Sequence, residues 1–558
     1  MISLTRYKHL IPTLAAFSPL VLYSGLFALR HLDDNRLTSW RWAFESASVP
    51  AVFGALFIIS IVSLFISKQE FISVNFISAI SFGLAMALWH EPEVIVDASR
   101  YFTQAKHLSQ YGIGYFITQW GGAIEPWTDM PLVPFIYGLG FSALGESRWV
   151  AQLLTTSAFA GSVWLASRSS LELFSKEDEV DIGMLTGAFL LSMPYLYTQV
   201  PLMMVDVFSM FFLILGFFTL QRALDRGGWI WLLSASIAIF LMLITKYSLW
   251  MMASVYILLF LVKLKANPKP VFSRGMLVAV LSGVFFASFL FYYQDVVRAQ
   301  MELLVSYQRP GLRRWSESFL STFFYQIHPL LTLSALASVF VAIRKKDLRW
   351  LIAAWLLLLV LVLQIERSRY IIPLLPMFAM MGAYGLNSLF PVRIKRLVAM
   401  VCIAGSFVIA AGVYLPYLKT NNLVNLMRAG EFLNQQQVTL VQASALPQMS
   451  DINPAIAVPI LDLYTSAPIE YSYSMRPVLD KEKVEVSPFR FTWTYRNPGY
   501  YDYRAERKPS HMAVVSFWPQ QRIEDQIPLG FEFLKRYDIS EGIYRFKPYV
   551  SIYERQEE

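Results

Sequence analysis

The chain has 558 residues, 56% of them hydrophobic and 15% charged, with 47 Lys and Arg against 39 Asp and Glu for a net charge of +8. Mean hydropathy is +0.46, and long uncharged runs recur, which excludes an ordinary soluble enzyme (about 25% charged) and indicates a polytopic membrane protein. The lone cysteine, Cys402, excludes an intrachain disulfide and a cysteine metal site.

Thirteen apolar spans are predicted, at 11–29, 49–67, 71–89, 148–167, 182–198, 203–221, 229–245, 248–264, 275–293, 327–343, 350–364, 370–388 and 397–415. Arg6 and Lys8 precede the first span as in a signal peptide, but no clear small-residue cleavage site follows, so a retained helix is expected. Residues 131–145 are apolar but short. At 1.5 Å per residue they reach about 22 Å, less than the ~30 Å of a hydrocarbon core, so they are expected to lie in the interface. The external loop 90–147 is then long and structured.

Residues 419–558 carry 16 Lys and Arg and 17 Asp and Glu, which leaves 31 against 22 for the rest. The excess sits largely in short loops, around Arg222 and Arg226, Lys263 to Arg274, Arg344 to Arg349, and Arg393 to Arg396. There it is a topology signal, not a nucleic-acid signal, and it places these loops in the cytoplasm. The other side then receives Asp97 after the third span, Asp206 at the turn before 203–221, Lys246 inside a long apolar stretch, and Glu366, Arg367 and Arg369 before 370–388. Ionisable groups at the ends of apolar helices are costly unless they face water or one another, so a shared polar cavity is expected. The outside loop 294–326 adds Arg298, Arg309, Arg313 and Arg314, a basic cluster suited to lipid headgroups or a phosphate.

After Tyr417 polar and turn residues rise. Short runs at 513–517 and 549–553 alternate or are apolar, and a helix-like stretch at 430–436 leads them. A small α/β domain over 418–558 is predicted, outside the membrane. Its aromatic stretch from Phe489 to Tyr503 suits sugar contact, a core, or a membrane interface. No phosphate-binding GxxxxGK[ST] loop, GxGxxG or HExxH is present, and no internal repeat of the transporter kind stands out.

Several blocks resemble one family, the membrane-embedded GT-C glycosyltransferases of the protein-mannosyltransferase-like and aminoarabinose-transferase-like branch. Asp97-Ala98-Ser99-Arg100-Tyr101 with Ala105, Leu108 and Gly112 resembles its DExxYxxxAxxLxxxG opening of the first external loop. Pro131-Leu132, Leu144-Gly145-Glu146-Ser147 and Arg148 are similar to its KPPL…LFGES…R block. Pro201 to Asp206 with Phe211-Phe212, Thr245-Lys246-Tyr247, and Arg369-Tyr370 with Pro373 and Pro376 are similar to its later elements. Ala98 stands where the family often has Glu, and Asp129-Met130 where it often has Lys-Pro.

The resemblance covers about 71–390 and divides the chain into residues 1–70 with two additional helices, 71–417 as the catalytic membrane domain, and 418–558 as the soluble domain. It implies an all-α GT-C membrane fold of about 13 helices in a bacterial cytoplasmic membrane, with the site and tail facing the periplasm. It also implies an inverting transfer of a hexose or pentose from a polyprenyl-phosphate donor to a hydroxyl or amine of a lipid, glycan or protein acceptor. In that reading Asp97 is the general base, and Asp206, with it in the catalytic set, orients acceptor or sugar hydroxyls or pairs with Lys246, a helix N-cap being its ordinary structural role. Lys246, Arg369, Arg313 and Arg314 meet the donor phosphate, and Tyr101, Glu93 and Arg367 contact substrate. No cofactor or metal is implied. A transporter or flippase of lipid-linked sugars is the alternative, with a membrane-anchored scaffold as a third class. Charges at helix ends, mostly on one side, favour the enzyme over the transporter.

Overall fold

Long apolar stretches leave the backbone no polar partner but itself, so helices dominate the chain as far as Gln435. The structure is a computed structural model that describes residues 10–66, 73–174, 179–308, 317–421, 423–436, 438–446, 452–471, 489, 492–493, 495–502, 508–517, 527–542 and 547–556. Among the described residues seven helices are long and apolar enough to cross a membrane. They are Leu10–Ala28, Val49–Ile66, Asp206–Arg226, Ser248–Ala266, Pro268–Tyr292, Ser368–Leu389 and Val392–Thr420. Val74–Met86, Trp229–Leu243 and Trp350–Val362 are apolar but shorter. The predicted span 182–198 divides into Glu179–Leu190 and Pro194–Gln199, because Pro194 has no N–H to continue the ladder and suits the first turn of a new helix. Among the described residues seven helices meet both the length and the apolarity criterion, against thirteen predicted spans.

The most enclosed long helices carry the charges. Asp206–Arg226 and Ser368–Leu389 are 83% and 89% buried in their apolar windows, against 11% for the peripheral Pro268–Tyr292. The basic loops gather through a set of shared contacts. Arg222 pairs with Glu172, and Lys263 with Asp225 at 2.7 Å. Arg274 donates to the Leu224 carbonyl at 2.8 Å, and Arg349 to that of Leu173 at 3.4 Å.

The loop predicted at 90–147 is mostly two helices, Ile95–Gln119 and Leu132–Leu144, packed on each other. Gly138 permits the close approach, since a Cβ there would lie 2.8 Å from the Ala105 carbonyl oxygen and 2.7 Å from the Leu108 Cβ. Gly112 has φ +85° and kinks the longer helix, a backbone angle that favours glycine.

The tail forms a mixed sheet with strands β1 (Val441–Ala445), β2 (Ile469–Glu470), β3 (His511–Ser516), β4 (Phe531–Tyr537) and β5 (Tyr549–Arg555) in the order β2-β1-β3-β5-β4. β1 runs parallel to β2 and β3, and β5 antiparallel to β3 and β4. Ala513 sits opposite Ile552 and Val515 opposite Val550, so the two runs seen in the sequence pair with each other. The helix Ala457–Tyr464 seats this unit on Ile95–Gln119. Asp462 accepts from Lys106 Nζ and from the Tyr501 hydroxyl, both at 2.7 Å, and Tyr500 donates to the Thr103 carbonyl at 3.3 Å.

Gly138→Val should overpack this contact and cost about 1–3 kcal/mol. Thermal melting of the detergent-solubilised protein checks it. An unchanged melting temperature would mean that the two helices separate freely.

Candidate active site

Four side chains from distant parts of the chain form one connected set. Asp97 lies in the first turn of Ile95–Gln119, and Asp206 is the first residue of Asp206–Arg226. Both carboxylates thus sit at helix N-termini, where the aligned peptide dipoles favour a negative charge. Asp206 is not a cap, since the cap position belongs to Val205 and makes no side-chain bond. Lys246 stands in the turn after Trp229–Leu243 and donates from Nζ to Asp206 Oδ1 at 2.6 Å. Arg369 lies in the 3-10 turn Ser368–Leu374, and its guanidinium joins the two carboxylates. Its Nε donates to Asp206 Oδ2 at 2.6 Å and its Nη1 to Asp97 Oδ2 at 2.5 Å. The Asp206 side chain is 1% exposed and that of Asp97 24%, so Asp97 is the carboxylate open to an incoming molecule.

A second ion pair adjoins the first. Arg100, one turn beyond Asp97, pairs with Asp129 and lies 3.8 Å from Asp97 Oδ1. Asp129 also accepts from Tyr101 Oη at 3.3 Å and Gln104 Nε2 at 3.2 Å. Its own carbonyl accepts from Gln300 Nε2 at 2.7 Å, and Gln300 Oε1 accepts from Tyr247 Oη at 2.5 Å, which ties this cluster to the Lys246 turn. Burial alone would raise the Asp97 carboxyl. The Arg369 guanidinium, then Arg100, outweigh that and hold it well below the usual carboxylate range. For Asp129 burial wins over Arg100, and its carboxyl is pushed up.

The remaining predicted residues are placed differently. Glu93 is 1% exposed and committed to the protein. Its Oε1 accepts from Arg148 Nε at 2.9 Å and its Oε2 from the Met203 N–H at 3.0 Å, so the expected substrate contact is replaced by a buried structural pair. Tyr101 is 3% exposed with its hydroxyl on Asp129. Arg367 donates to the Tyr370 hydroxyl at 3.1 Å, and Lys246 Nζ stands 5.2 Å from the centre of the Tyr370 ring. Arg313 and Arg314 lie outside the described residues. Among the described residues no group of three or more His, Cys, Asp or Glu side chains is placed to hold a metal.

Sequence reasoning missed the support beneath Arg369. Glu317 Oε2 accepts from the Ser368 N–H at 2.8 Å, and Oε1 from the Arg36 N–H at 3.1 Å. Asn35 Nδ2 donates to Glu317 Oε2 at 3.3 Å and to the Ser368 hydroxyl at 3.2 Å. Asp33 in turn accepts from the Trp40 N–H at 2.7 Å and the Ser321 hydroxyl at 2.5 Å. The connector between the two N-terminal helices therefore reaches the turn that carries Arg369. The available sequence signal was polar density (Asp33-Asp34-Asn35-Arg36) in a connector that composition alone reads as solvated.

This bundle, with the C-terminal unit packed on Ile95–Gln119, shares its fold with solved structures of ArnT. ArnT from Cupriavidus metallidurans bound to undecaprenyl phosphate superposes with a TM-score of 0.54, at 14% identity, over 85% of this chain and 97% of its own. Its apo state gives 0.50 at 13% identity over the same shares. No family model matches the chain, and no curated protein matches it in sequence.

Glu317→Ala should leave the Ser368 and Arg36 N–H groups unpaired, at about 1–3 kcal/mol for each that stays dry. Hydrogen exchange across residues 366–374 should rise in that variant and rise less in Glu317→Gln. Equal exchange in all three proteins would remove Glu317 as the support.

Proposed function

We propose that this protein is an inverting glycosyltransferase that moves a monosaccharide, a hexose or pentose, from a polyprenyl-phosphate carrier to an acceptor at the outer face of a bacterial cytoplasmic membrane. The observation that carries the reading is the Asp97–Arg369–Asp206–Lys246 set, with one carboxylate open and two cations beside it. The likeness of fold to ArnT, which binds undecaprenyl phosphate, supports it. In this reading the chain crosses the membrane thirteen times, with residues 1–70 as an addition, 71–417 as the catalytic unit and 418–558 as a periplasmic domain. The gathering of basic loops supports that orientation.

The acceptor oxygen forms a bond to the anomeric carbon as that carbon's bond to the phosphate oxygen breaks. The acceptor's proton goes to Asp97, and the electron pair leaves on the polyprenyl phosphate. Lys246 and Arg369 stabilise the charge that collects there, and Arg313 and Arg314 are further candidates for the same role. Asp206 positions both cations. A carboxylate held as low as Asp97 is a weak base in the free enzyme. Donor phosphate that competes for Arg369 weakens the hold on Asp97 and raises its proton affinity when a base is needed. Binding of the donor thus activates the base.

Purified protein in nanodiscs, given undecaprenyl-phosphate-linked sugars and envelope fractions as acceptor, should release undecaprenyl phosphate and label an acceptor. Asp97→Asn should keep donor binding and lose transfer by about 10²-fold or more. Near-normal turnover by that variant would sink Asp97 as the base, and movement of donor across the bilayer without a new bond would indicate a flippase. Lys246→Ala should weaken donor binding. Unchanged kinetics with donor would remove it from the phosphate site.

The pH profiles supply a separate test. The base works only when ionised, so activity is lost as pH falls through its pKa. The acid limb of kcat/KM, which reports the free enzyme, should lie below the ordinary carboxylate range. The limb of kcat should lie at higher pH, because the bound phosphate has drawn Arg369 away. Coincident limbs would contradict activation by the donor.

A further inference from the structure

A cavity lies beside the helix that carries Asp97, lined by Val96, Ser99 and Arg100 from the same turns. It lies between the Ile95–Gln119 helix, the loop that follows it and the C-terminal unit, and is partly open to the outside. The helix contributes Arg100, Thr103 and Gln104, the loop contributes Glu125 and Trp127, and the C-terminal unit closes the space with Tyr495. Asp97, Arg100 and Gln104 follow i, i+3, i+7 spacing, so they share one helical face and the cavity begins one turn from the carboxylate.

The lining has a definite chemistry. Its charges take part in ion pairs. Arg100 is held by Asp129 and Asp97 and lies 4.8 Å from the centre of the Trp127 ring, and Arg496 at the rim faces Glu125 at 3.9 Å. Two neutral side chains of the lining also hold buried oxygens. Gln104 is 2% exposed and its Oε1 has no hydrogen-bond partner, as is also true of Thr103 Oγ1. The Gln104 amide nitrogen is committed to the Glu125 carbonyl at 3.3 Å and to Asp129 Oδ2 at 3.2 Å, so turning the amide over would break both bonds. A buried amide oxygen without a donor costs about 1–3 kcal/mol. A phosphate dianion carries acceptors only and cannot relieve it, but a hydroxyl can. The rings of Trp127 and Tyr495 complement a molecule with an apolar face.

We propose that this cavity receives a neutral sugar residue of the acceptor, so that the acceptor is a glycan and the new bond is made to a sugar hydroxyl. The inference rests on the reading of Asp97 as the base. That carboxylate has Arg369 on Oδ2 and Arg100 on Oδ1, which sets the donor phosphate on one flank and the cavity on the other. The C-terminal unit is then part of the acceptor site, because Tyr495 belongs to it.

Binding tests this separately from transfer. The full-length protein in detergent is applied to an array of neutral envelope oligosaccharides of two to six sugars, their phosphorylated counterparts, and peptides rich in Ser and Thr. Neutral glycans should bind, with or without Asp97→Asn. Gln104→Met and Tyr495→Ala should each weaken that binding by about tenfold, the loss of one good contact. Both should leave affinity for undecaprenyl phosphate within about twofold, a difference under 0.5 kcal/mol. Tyr495→Phe, which keeps the ring, should bind as the parent does. The proposal is overturned if no neutral glycan binds, if peptides or phosphorylated glycans alone depend on Gln104 and Tyr495, or if both variants bind neutral glycans normally. Neutral glycan binding that depends on both residues, with no sugar transferred from any polyprenyl-phosphate donor, would uphold the cavity as a glycan site. It would also overturn the transferase reading and the acceptor role that rests on it.

Discussion

The guanidinium of Arg369 is shared between two carboxylates that are 109 positions apart in the chain, Asp97 and Asp206, and much of the site depends on that sharing. Charges this far from water persist only when each is matched, and removing one partner of a buried pair costs about 3–5 kcal/mol. Asp206 serves two cations and Arg369 two anions, so the four groups balance as a set and not as separate pairs. The helices that begin near 95 and 206, the turn at 246 and the turn at 368 must therefore assemble together. A bound anion has to enter this balance by competition, which links occupation of the site to the state of Asp97.

Two parts of the chain outside the family-like blocks hold that set in place. The N-terminal pair of helices packs on Val392–Thr420 through Tyr23, Trp40 and Tyr414, with the Trp40 indole N–H donating to the Tyr414 hydroxyl at 2.9 Å. Their connector delivers Asn35 and Arg36 to Glu317 and so supports the Arg369 turn from below. The C-terminal unit fastens on Thr103 and Lys106, about one and two turns beyond Arg100 on the same helix. The site is thus assembled by the middle of the chain and made rigid by its two ends.

Some of this was legible without coordinates. Asp97, Asp206, Lys246 and Arg369 interrupt apolar runs, and a charge there must be matched, so their convergence follows from cost alone. The short proline- and glycine-bearing run at 131–145 was readable as a separate short helix, and it forms Leu132–Leu144. Three features were not legible. Glu93 looks in sequence like one of several loop carboxylates, yet Arg148, 55 positions away, takes it into the core. Asp129 looks like a departure from a motif, whereas its charge is what Arg100 needs. In the aromatic stretch, Tyr500 and Tyr501 fill the seam with the juxtamembrane helix while Tyr495 borders a cavity, a division that spacing cannot make.

What the sequence determined by itself was the medium and the expense. Apolar length demands helices in lipid, and each interrupting charge requires a partner. Which partner each charge takes was decided only by the tertiary structure. A carboxylate can be matched by any cation that the packing brings within hydrogen-bonding reach, and that depends on how helix ends far apart in sequence are set side by side.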